Sequence, residues 1–150
     1  RLQELRDRAE SAGEQAFATY IEVDRLILAG RIAGARGQQD AAVARLQEAA
    51  ELARTVEKSP ITPGALLPPH EALGDLLHEL GREDDAVAAY EASLAVWPKR
   101  YRSILGAARA AAAAGDTAKS RQYYETLLDV ARESSPRAGV REARERATGV

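Results

Sequence analysis

The chain has 150 residues, of which 45% are hydrophobic and 29% are charged, a composition typical of one globular domain rather than of a disordered protein. Its formal net charge of -2 gives no general attraction to nucleic acid or to an anionic membrane, so neither is expected as a partner. The absence of cysteine excludes disulfides, thiolate metal sites and cysteine nucleophiles, whichever compartment, cytoplasmic or exported, the protein occupies.

The hydropathy of the chain predicts a soluble protein, and its lack of methionine predicts that it is a piece of a longer polypeptide or a processed form. No run approaches the roughly 18 consecutive apolar residues of a spanning helix, and the first residues lack the apolar core of a secretion signal. The chain contains no methionine. We therefore expect a piece of a longer chain or a processed form, with further sequence before Arg1.

The first third of the chain predicts three helices. In residues 1–13 apolar residues recur every three to four positions, which predicts an amphipathic helix left from a preceding unit. Residues 14–57 predict a first unit of two long helices that turn at Gly37. The first of these helices is apolar on more than one face, so it should be sandwiched between neighbours. Gly30 and Gly34 in this helix permit close approach of another helix.

A proline-rich stretch at residues 58–69 separates this unit from the rest of the chain. It cannot form a regular helix, and we predict an ordered loop whose last prolines open the next helix. Three further elements, a central unit, a third unit and a C-terminal capping helix, are predicted at residues 70–98, 101–132 and 136–148. Turn glycines at Gly81 and Gly115 divide the two units into hairpins, and Pro136 suits the first turn of the capping helix.

The hairpins repeat at a fixed distance along the chain. Gly81 and Gly115 are 115 - 81 = 34 residues apart, and Tyr90 and Tyr124 are 124 - 90 = 34 apart. Gly37 precedes Gly81 by 81 - 37 = 44 residues, the same period plus the proline-rich loop. A period of this length is typical of stacked helical hairpins, none of which can bury its apolar face alone.

The central unit resembles the tetratricopeptide repeat, whose pattern is Trp-x2-Leu-Gly-x2-Tyr followed by alanine, an aromatic residue and proline. The corresponding positions hold His70, Leu73, Gly74, Leu77, Ala86, Tyr90 and Pro98. Histidine thus replaces tryptophan, leucine replaces tyrosine, and the third unit lacks the closing proline. The resemblance covers about Val23 to Arg132. Residues 61–94 are also similar to the C-terminal part of a group of uncharacterised bacterial tetratricopeptide-repeat proteins.

The resemblance implies an all-α solenoid of about three helix-turn-helix repeats plus flanking helices, about eight helices in total. It further implies a superhelix whose concave groove, lined by the first helix of each unit, binds a peptide or a segment of a partner protein. The positions that match the groove are Asp24, Ile27, Arg31, Glu71, Asp75, His78, Glu79, Arg102, Leu105 and Arg109. The middle of this set is acidic and its C-terminal part is basic. We therefore expect a ligand with a basic segment at Glu71 and Asp75 and an acidic one near Arg102 and Arg109.

Other function classes find less support in the sequence. Glu71, Asp75 and His78 share one helix face at a spacing that could ligate a metal, but a solvated charged face is favoured because no second histidine joins them. No phosphate-binding loop or nucleophile motif occurs, so we expect no catalytic residue, metal or cofactor. The alternative to a peptide-binding scaffold is a structural module that holds together a homo-oligomer or flanks another domain. A metal-binding or enzymatic role ranks third.

Overall fold

A computed structural model describes residues 1–56, 67–131 and 135–148. Within these ranges the chain forms eight α-helices and no strand, which confirms the predicted fold class. The helices are α1 (Leu2–Ser11), α2 (Gln15–Ala35), α3 (Gln39–Ala53), α4 (Pro69–Glu79), α5 (Glu83–Val96), α6 (Tyr101–Ala113), α7 (Thr117–Val130) and α8 (Ala138–Thr148).

The chain divides into two compact units, Arg1–Leu76 and Leu77–Val150. We call these the first unit and the second unit of the structure, as distinct from the shorter repeat units predicted from the sequence. In the first unit α1 packs on α2, and α2 packs on α3. In the second unit α5 packs on α6, α6 packs on α7, and α7 packs on α8. The helices fall within the segments predicted from the sequence, while their assignment to a single domain stays a prediction.

The hairpin turns share one pair of backbone hydrogen bonds. Gly81 has a φ of 71°; its N–H donates to the carbonyl of His78, and the N–H of Arg82 donates to the carbonyl of Leu77. These two bonds satisfy carbonyls at the end of α4, and only glycine adopts the left-handed conformation without strain. The same pattern closes the turns at Gly13, Gly37 and Gly115. The predicted role of these glycines as helix ends is therefore confirmed.

Close helix packing in the first unit depends on small residues of α2. A Cβ atom on Gly30 would lie 2.9 Å from Cγ of Leu46, so α2 and α3 approach closely at this point, as predicted. A Cβ atom on Gly34 would lie 3.3 Å from Cδ1 of Leu76, the end of a flexible side chain of α4. Both glycines therefore face neighbouring helices within the unit.

As predicted, α2 lies between two neighbouring helices, α1 and α3, but one of its apolar faces remains exposed. Phe17, Leu28 and Ile32 remain 56%, 51% and 43% exposed, while Leu26 on the opposite side is 1% exposed. The reason is that α3 covers one side of α2 and α1 lies only beside its first turns, where Arg6 contacts Glu22. An apolar face of α2 is thus left uncovered by the described helices.

The core of the second unit joins four helices. Its buried cluster consists of Ile104, Ala108, Tyr124, Leu127 and Ala143. Tyr90 of α5 is 2% exposed and Val140 of α8 is 1% exposed, so both flanking helices contribute to the interior. The alanine-rich stretch of α6 lies at the centre, because small side chains permit close approach from both sides.

Two helix boundaries differ from those that the sequence predicts, and most of the predicted proline-rich loop lies outside the described residues. α3 ends at Ala53 rather than near residue 57, because the N–H and the hydroxyl of Thr55 both donate to the carbonyl of Leu52 and tighten the last turn. α8 begins at Ala138, two residues later than predicted, because the carbonyl of Arg137 accepts the first helical bonds. The predicted loop falls mostly within residues 57–66, outside the described ranges.

Candidate partner-binding site

The start of α4 shows why two prolines precede the candidate site. Pro69 is the first residue of the helix, where a missing N–H costs no hydrogen bond, and the carbonyl of Pro68 accepts a bond from the N–H of Ala72. This arrangement confirms that the last prolines of the predicted loop open the next helix. It also places the first turn of α4 in the interior, with Pro68, Pro69 and Ala72 all buried.

The ten predicted groove residues lie on α2, α4 and α6, and their exposure divides them into three classes. Exposed side chains belong to Asp24, Arg31, Glu79, Arg102 and Arg109. Partly buried side chains belong to Asp75, His78 and Leu105. Ile27 and Glu71 are buried, at 6% and 0% exposure. The expectation that Glu71 points outward is wrong, because Glu71 lies in the first turn of α4, where Pro69 and Ala72 are also buried.

The exposed end of α4 and the first turn of α5 carry five carboxylates, which we call the acidic edge. They belong to Asp75, Glu79, Glu83, Asp84 and Asp85. Nδ1 of His78 lies 2.6 Å from Oε2 of Glu83, a contact that ties the end of α4 to the start of α5. Arg82 donates to Oδ2 of Asp85 from Nε at 2.9 Å and from Nη2 at 2.7 Å. Within residues 69–96 these carboxylates outnumber the one arginine, so this hairpin has an excess of formal negative charge.

The metal-ligand spacing seen in the sequence does not form a site in the structure. Among residues 1–56, 67–131 and 135–148, no three histidine, aspartate or glutamate side chains lie close enough together to hold a metal ion. Glu71 lies in the interior, and Nδ1 of His78 is engaged by Glu83. The face shared by Glu71, Asp75 and His78 in the sequence is therefore divided between the interior and the surface.

At the basic end of the predicted groove, α8 occupies two of the three positions. Glu142 accepts hydrogen bonds from Arg109, at 3.1 Å between Nε and Oε1 and at 2.5 Å between Nη2 and Oε2. A Cβ atom on Gly139 would lie 2.5 Å from Cδ2 of Leu105, so α8 also packs directly on this leucine. Of the three α6 positions, Arg102 is thus the one that these α8 contacts leave exposed.

Glu142 also accepts a hydrogen bond from a buried tyrosine, and the sequence reasoning missed this role. The hydroxyl of Tyr124 donates to Oε1 of Glu142 at 2.6 Å. The hydrogen bond from Arg109 lowers the pKa of the Glu142 carboxyl, while burial and the carboxylate raise the pKa of the Tyr124 hydroxyl. Glu142 and Arg109 are 33 residues apart, so helical periodicity could not link them. The carboxylate fastens the capping helix to α6 and α7.

A second carboxylate forms a similar connection between α5 and α7. Glu91 accepts a hydrogen bond of 2.6 Å from the hydroxyl of Tyr123, and Nζ of Lys119 lies 2.8 Å away. The lysine contact lowers the pKa of Glu91, and burial raises the pKa of Tyr123. These residues join two helices of the unit, so we assign them to packing rather than to partner binding.

His70, at the position of the repeat's tryptophan, is partly buried as the sequence predicts. Burial lowers its pKa below the ordinary value of 6.5; Glu51 partly offsets this, and Arg54 lowers the pKa slightly further. The neutral imidazole therefore fills this position near neutral pH. His70 belongs to the packing of α4 and not to its exposed end.

The comparisons with known proteins agree with the helical hairpins. Residues 69–99 match the tetratricopeptide repeat. The fold is similar to that of PcrH from Pseudomonas aeruginosa, with a TM-score of 0.63 and 17% identity over 85% of this chain and 89% of that one. It is also similar to MamA (41-end) from Desulfovibrio magneticus RS-1, with a TM-score of 0.58 and 14% identity over 86% of this chain and 73% of that one.

At these identities the likeness to solved structures concerns the fold alone. The match over residues 69–99 confirms the predicted tetratricopeptide repeat in the central unit, and the similar structures confirm the predicted fold type. No curated protein matches the chain. None of the helices in the described ranges is both long enough and apolar enough to span a bilayer.

Proposed function

We propose, on the premise that this chain is a tetratricopeptide-repeat protein, that it is a non-enzymatic scaffold that binds a segment of another protein along the exposed side of α4. Stacked helical repeats present long, rigid surfaces of this kind to their partners. The observation that carries the proposal is the acidic edge, where carboxylates of α4 and α5 outnumber the neighbouring cations. The proposal needs no catalytic group and no cofactor.

The chemistry of the acidic edge favours a basic partner segment. Asp75 and Glu79 lie one helical turn apart, so their side chains project from the same side of α4. A segment with lysine or arginine at matching intervals would gain charge-assisted contacts there, and the excess negative charge would speed its approach. Because the carboxylates are partly or fully exposed, both effects should weaken as salt concentration rises.

At the basic end of the predicted groove, on α6, the proposal keeps one of three residues as a partner contact. Arg109 is held by Glu142 and Leu105 is packed against α8, so Arg102 is the α6 residue that we retain as a candidate contact. Ile27 and Glu71 are buried and take no part in the proposal. An acidic portion of the partner near Arg102 remains part of the hypothesis, while the basic portion is its main requirement.

The test uses a library of short fluorescent peptides of differing net charge and measures binding by anisotropy at low and at physiological salt. We expect basic peptides to bind the wild type. The double variant Asp75→Lys with Glu79→Lys should weaken this binding by about tenfold or more, since attraction becomes repulsion at two positions. The matched control is Glu125→Lys with Asp129→Lys on α7, which changes the net charge equally on exposed residues elsewhere.

Equal loss of affinity in the α4 and α7 variants would show that the peptides respond to net charge alone and would reject the site. Unchanged affinity in a folded α4 variant would reject it as well. The alternative function, a module that joins copies of the chain, is favoured by a different observation, the uncovered apolar face of α2.

A further inference from the structure

The start of α6 and the start of α8 lie together in the second unit, and both carry positive charge. A Cβ atom on Gly139 would lie 2.5 Å from the hydroxyl oxygen of Tyr101, the first residue of α6. The guanidinium of Arg137, whose carbonyl accepts the first bonds of α8, lies 4.8 Å from the centroid of the same ring. Lys99 precedes Tyr101 by two residues, and Arg141 follows Arg137 by one helical turn. We call Lys99, Arg137 and Arg141, all of them exposed, the basic cluster.

Neither chain segment carries a carboxylate that balances this charge. Residues 92–115 contain four cationic side chains and no aspartate or glutamate, and residues 135–141 contain two cationic side chains and again no acid. Among the residues that the structure describes, no carboxylate forms an ion pair with Lys99 or Arg141. The basic cluster thus presents a local excess of positive charge, although the chain as a whole has a formal net charge of -2.

The first carboxylate of α8 is used inside the second unit. Glu142 accepts hydrogen bonds from Arg109 of α6 and from the hydroxyl of Tyr124 of α7. Successive residues of a helix are about 100° apart, so Arg141 leaves α8 on a different side from Glu142. The structure therefore separates charges that are adjacent in the sequence, with the carboxylate held by two neighbouring helices and the guanidinium left at the surface.

The ring of Tyr101 holds Arg137 in place and limits what can bind beside it. A guanidinium over an aromatic ring is held by cation–π attraction, while the N–H groups at its edge can still donate. Those donors match the two oxygens of a carboxylate, with which arginine forms paired hydrogen bonds. The guanidinium also covers this face of the ring, so the face is not open to stacking by a nucleobase. A carboxylate therefore suits the basic cluster better than a base does.

We propose that the basic cluster binds an acidic segment of a partner protein, whose carboxylate side chains contact Arg137, Arg141 and Lys99. This assignment rests on the proposed function for the premise that the ligand is a protein segment, and it places the acidic part of that ligand at the start of α8 instead of at Arg109. A long nucleic acid is disfavoured, because the carboxylates at the start of α5 lie only one length of that 14-residue helix away, about 20 Å, and repel a polyanion.

The experiment measures fluorescence anisotropy with a labelled, C-terminally amidated peptide rich in glutamate and with the same peptide carrying glutamine instead. At low salt the wild type should bind the glutamate peptide about tenfold more tightly than the glutamine peptide, and the difference should shrink as salt rises. The double variant Lys99→Glu with Arg141→Glu should weaken binding of the glutamate peptide by about tenfold or more, because attraction becomes repulsion at two positions.

The matched control is Arg45→Glu with Arg121→Glu on α3 and α7, which changes the net charge equally at exposed residues elsewhere and should retain binding. Circular dichroism and thermal melting verify that each variant is folded. The basic peptides that test the acidic edge serve as a further control. They should bind the Lys99→Glu, Arg141→Glu variant at least as well as the wild type, so the failure of one proposal is distinguishable from the failure of the other.

Substitutions of Arg137 separate binding from packing. Arg137→Lys keeps the charge but loses the planar group that lies over Tyr101, so it should bind the glutamate peptide more weakly than the wild type. Arg137→Gln, which also loses the charge, should bind it more weakly still. If Arg137→Gln lowers the melting temperature but leaves the affinity unchanged, Arg137 serves packing only and its assignment to the site is overturned.

Four other results overturn the proposal. The first is equal affinity of the wild type for the glutamate and glutamine peptides. The second is the same loss of affinity, or none, in the two folded double variants. The third is tighter binding of a single-stranded oligothymidylate than of the glutamate peptide, which would assign the basic cluster to nucleic acid. The fourth is self-association that sedimentation shows to be lost in the Lys99→Glu, Arg141→Glu variant, which would assign the cluster to a second copy of the chain.

Discussion

The ring of Tyr90 on α5 fills the space where residue 106 of α6 would carry a side chain. A Cβ atom on Gly106 would lie 2.5 Å from Cε1 of the ring and 2.8 Å from the hydroxyl oxygen, both well inside van der Waals contact. Tyr90 is 2% exposed, so the ring has no room to move outward. The distance between the second helix of one hairpin and the first helix of the next is therefore set by an aromatic ring against a glycine.

We expect Gly106→Ala to destabilise the protein, although alanine is ordinarily the better helix former. The gain in helix propensity is about 1 kcal/mol, whereas forcing a methyl group into a packed core costs about 1 to 3 kcal/mol. A net loss of up to about 2 kcal/mol should appear as a lower urea midpoint of the helical signal. Gly34→Ala is the matched control, since its Cβ would lie 3.3 Å from Cδ1 of Leu76, a terminal methyl that need shift by only a few tenths of an ångström.

Gly34→Ala should be neutral or should stabilise the protein by up to about 1 kcal/mol, because the leucine end can yield. If both glycine variants shift the midpoint equally and in the same direction, the close fit between Tyr90 and Gly106 does not determine stability. The comparison is informative because both sites are helical and both substitutions add the same methyl group.

Because Tyr124 donates a hydrogen bond to Glu142, substitutions of these two residues should have coupled effects on the free energy of unfolding. Tyr124→Phe removes a donor and should cost about 1 kcal/mol. Glu142→Ala leaves the hydroxyl of Tyr124, a residue only 2% exposed, without its acceptor, and should cost about 1 to 3 kcal/mol. In the double variant no donor is left unsatisfied, so its cost should be smaller than the sum of the two.

A double-mutant cycle measured by urea unfolding tests this coupling, and amide hydrogen exchange in α8 reports whether the capping helix loosens. The contact with Arg109 should add little, because its side chain is 46% exposed and solvent screens the charges. Costs that add to within about 0.5 kcal/mol would show that Tyr124 and Glu142 act independently.

His70 should make the folded protein less stable in mild acid. Burial lowers the pKa of His70 below 6.5 in the folded chain, so between the folded value and 6.5 the unfolded chain binds more protons. Stability should therefore fall as the pH drops through 6.5, and the loss should level off below the folded pKa. Melting temperatures measured on both sides of 6.5 should show this slope in the wild type and a smaller slope in His70→Gln.

Nuclear magnetic resonance titration measures the pKa of the His70 ring directly, independently of the melting temperatures. His78→Gln identifies the His70 signal. A His70 midpoint at or above 6.5 would contradict the assigned burial and its consequence for stability.

The sequence by itself determined the repeated unit of this protein. The glycines at the hairpin turns, their 34-residue spacing and the prolines that open α4 all express local backbone requirements. A left-handed turn residue or a first-turn proline depends on a few neighbouring residues, so its position can be read from the chain. The fold class, the family resemblance and most helix boundaries follow from these local signals.

Only the tertiary structure decided which side of each helix is covered. Glu71 lies inside although its spacing placed it with exposed carboxylates, and Arg109 is held by a glutamate of α8. Conversely, Leu28 and Ile32 are exposed on a helix that the apolar pattern predicted to lie between neighbours. Periodicity fixes how side chains are arranged around one helix, whereas burial depends on which distant helix packs there. Such contacts join residues far apart in sequence, and no local pattern encodes them.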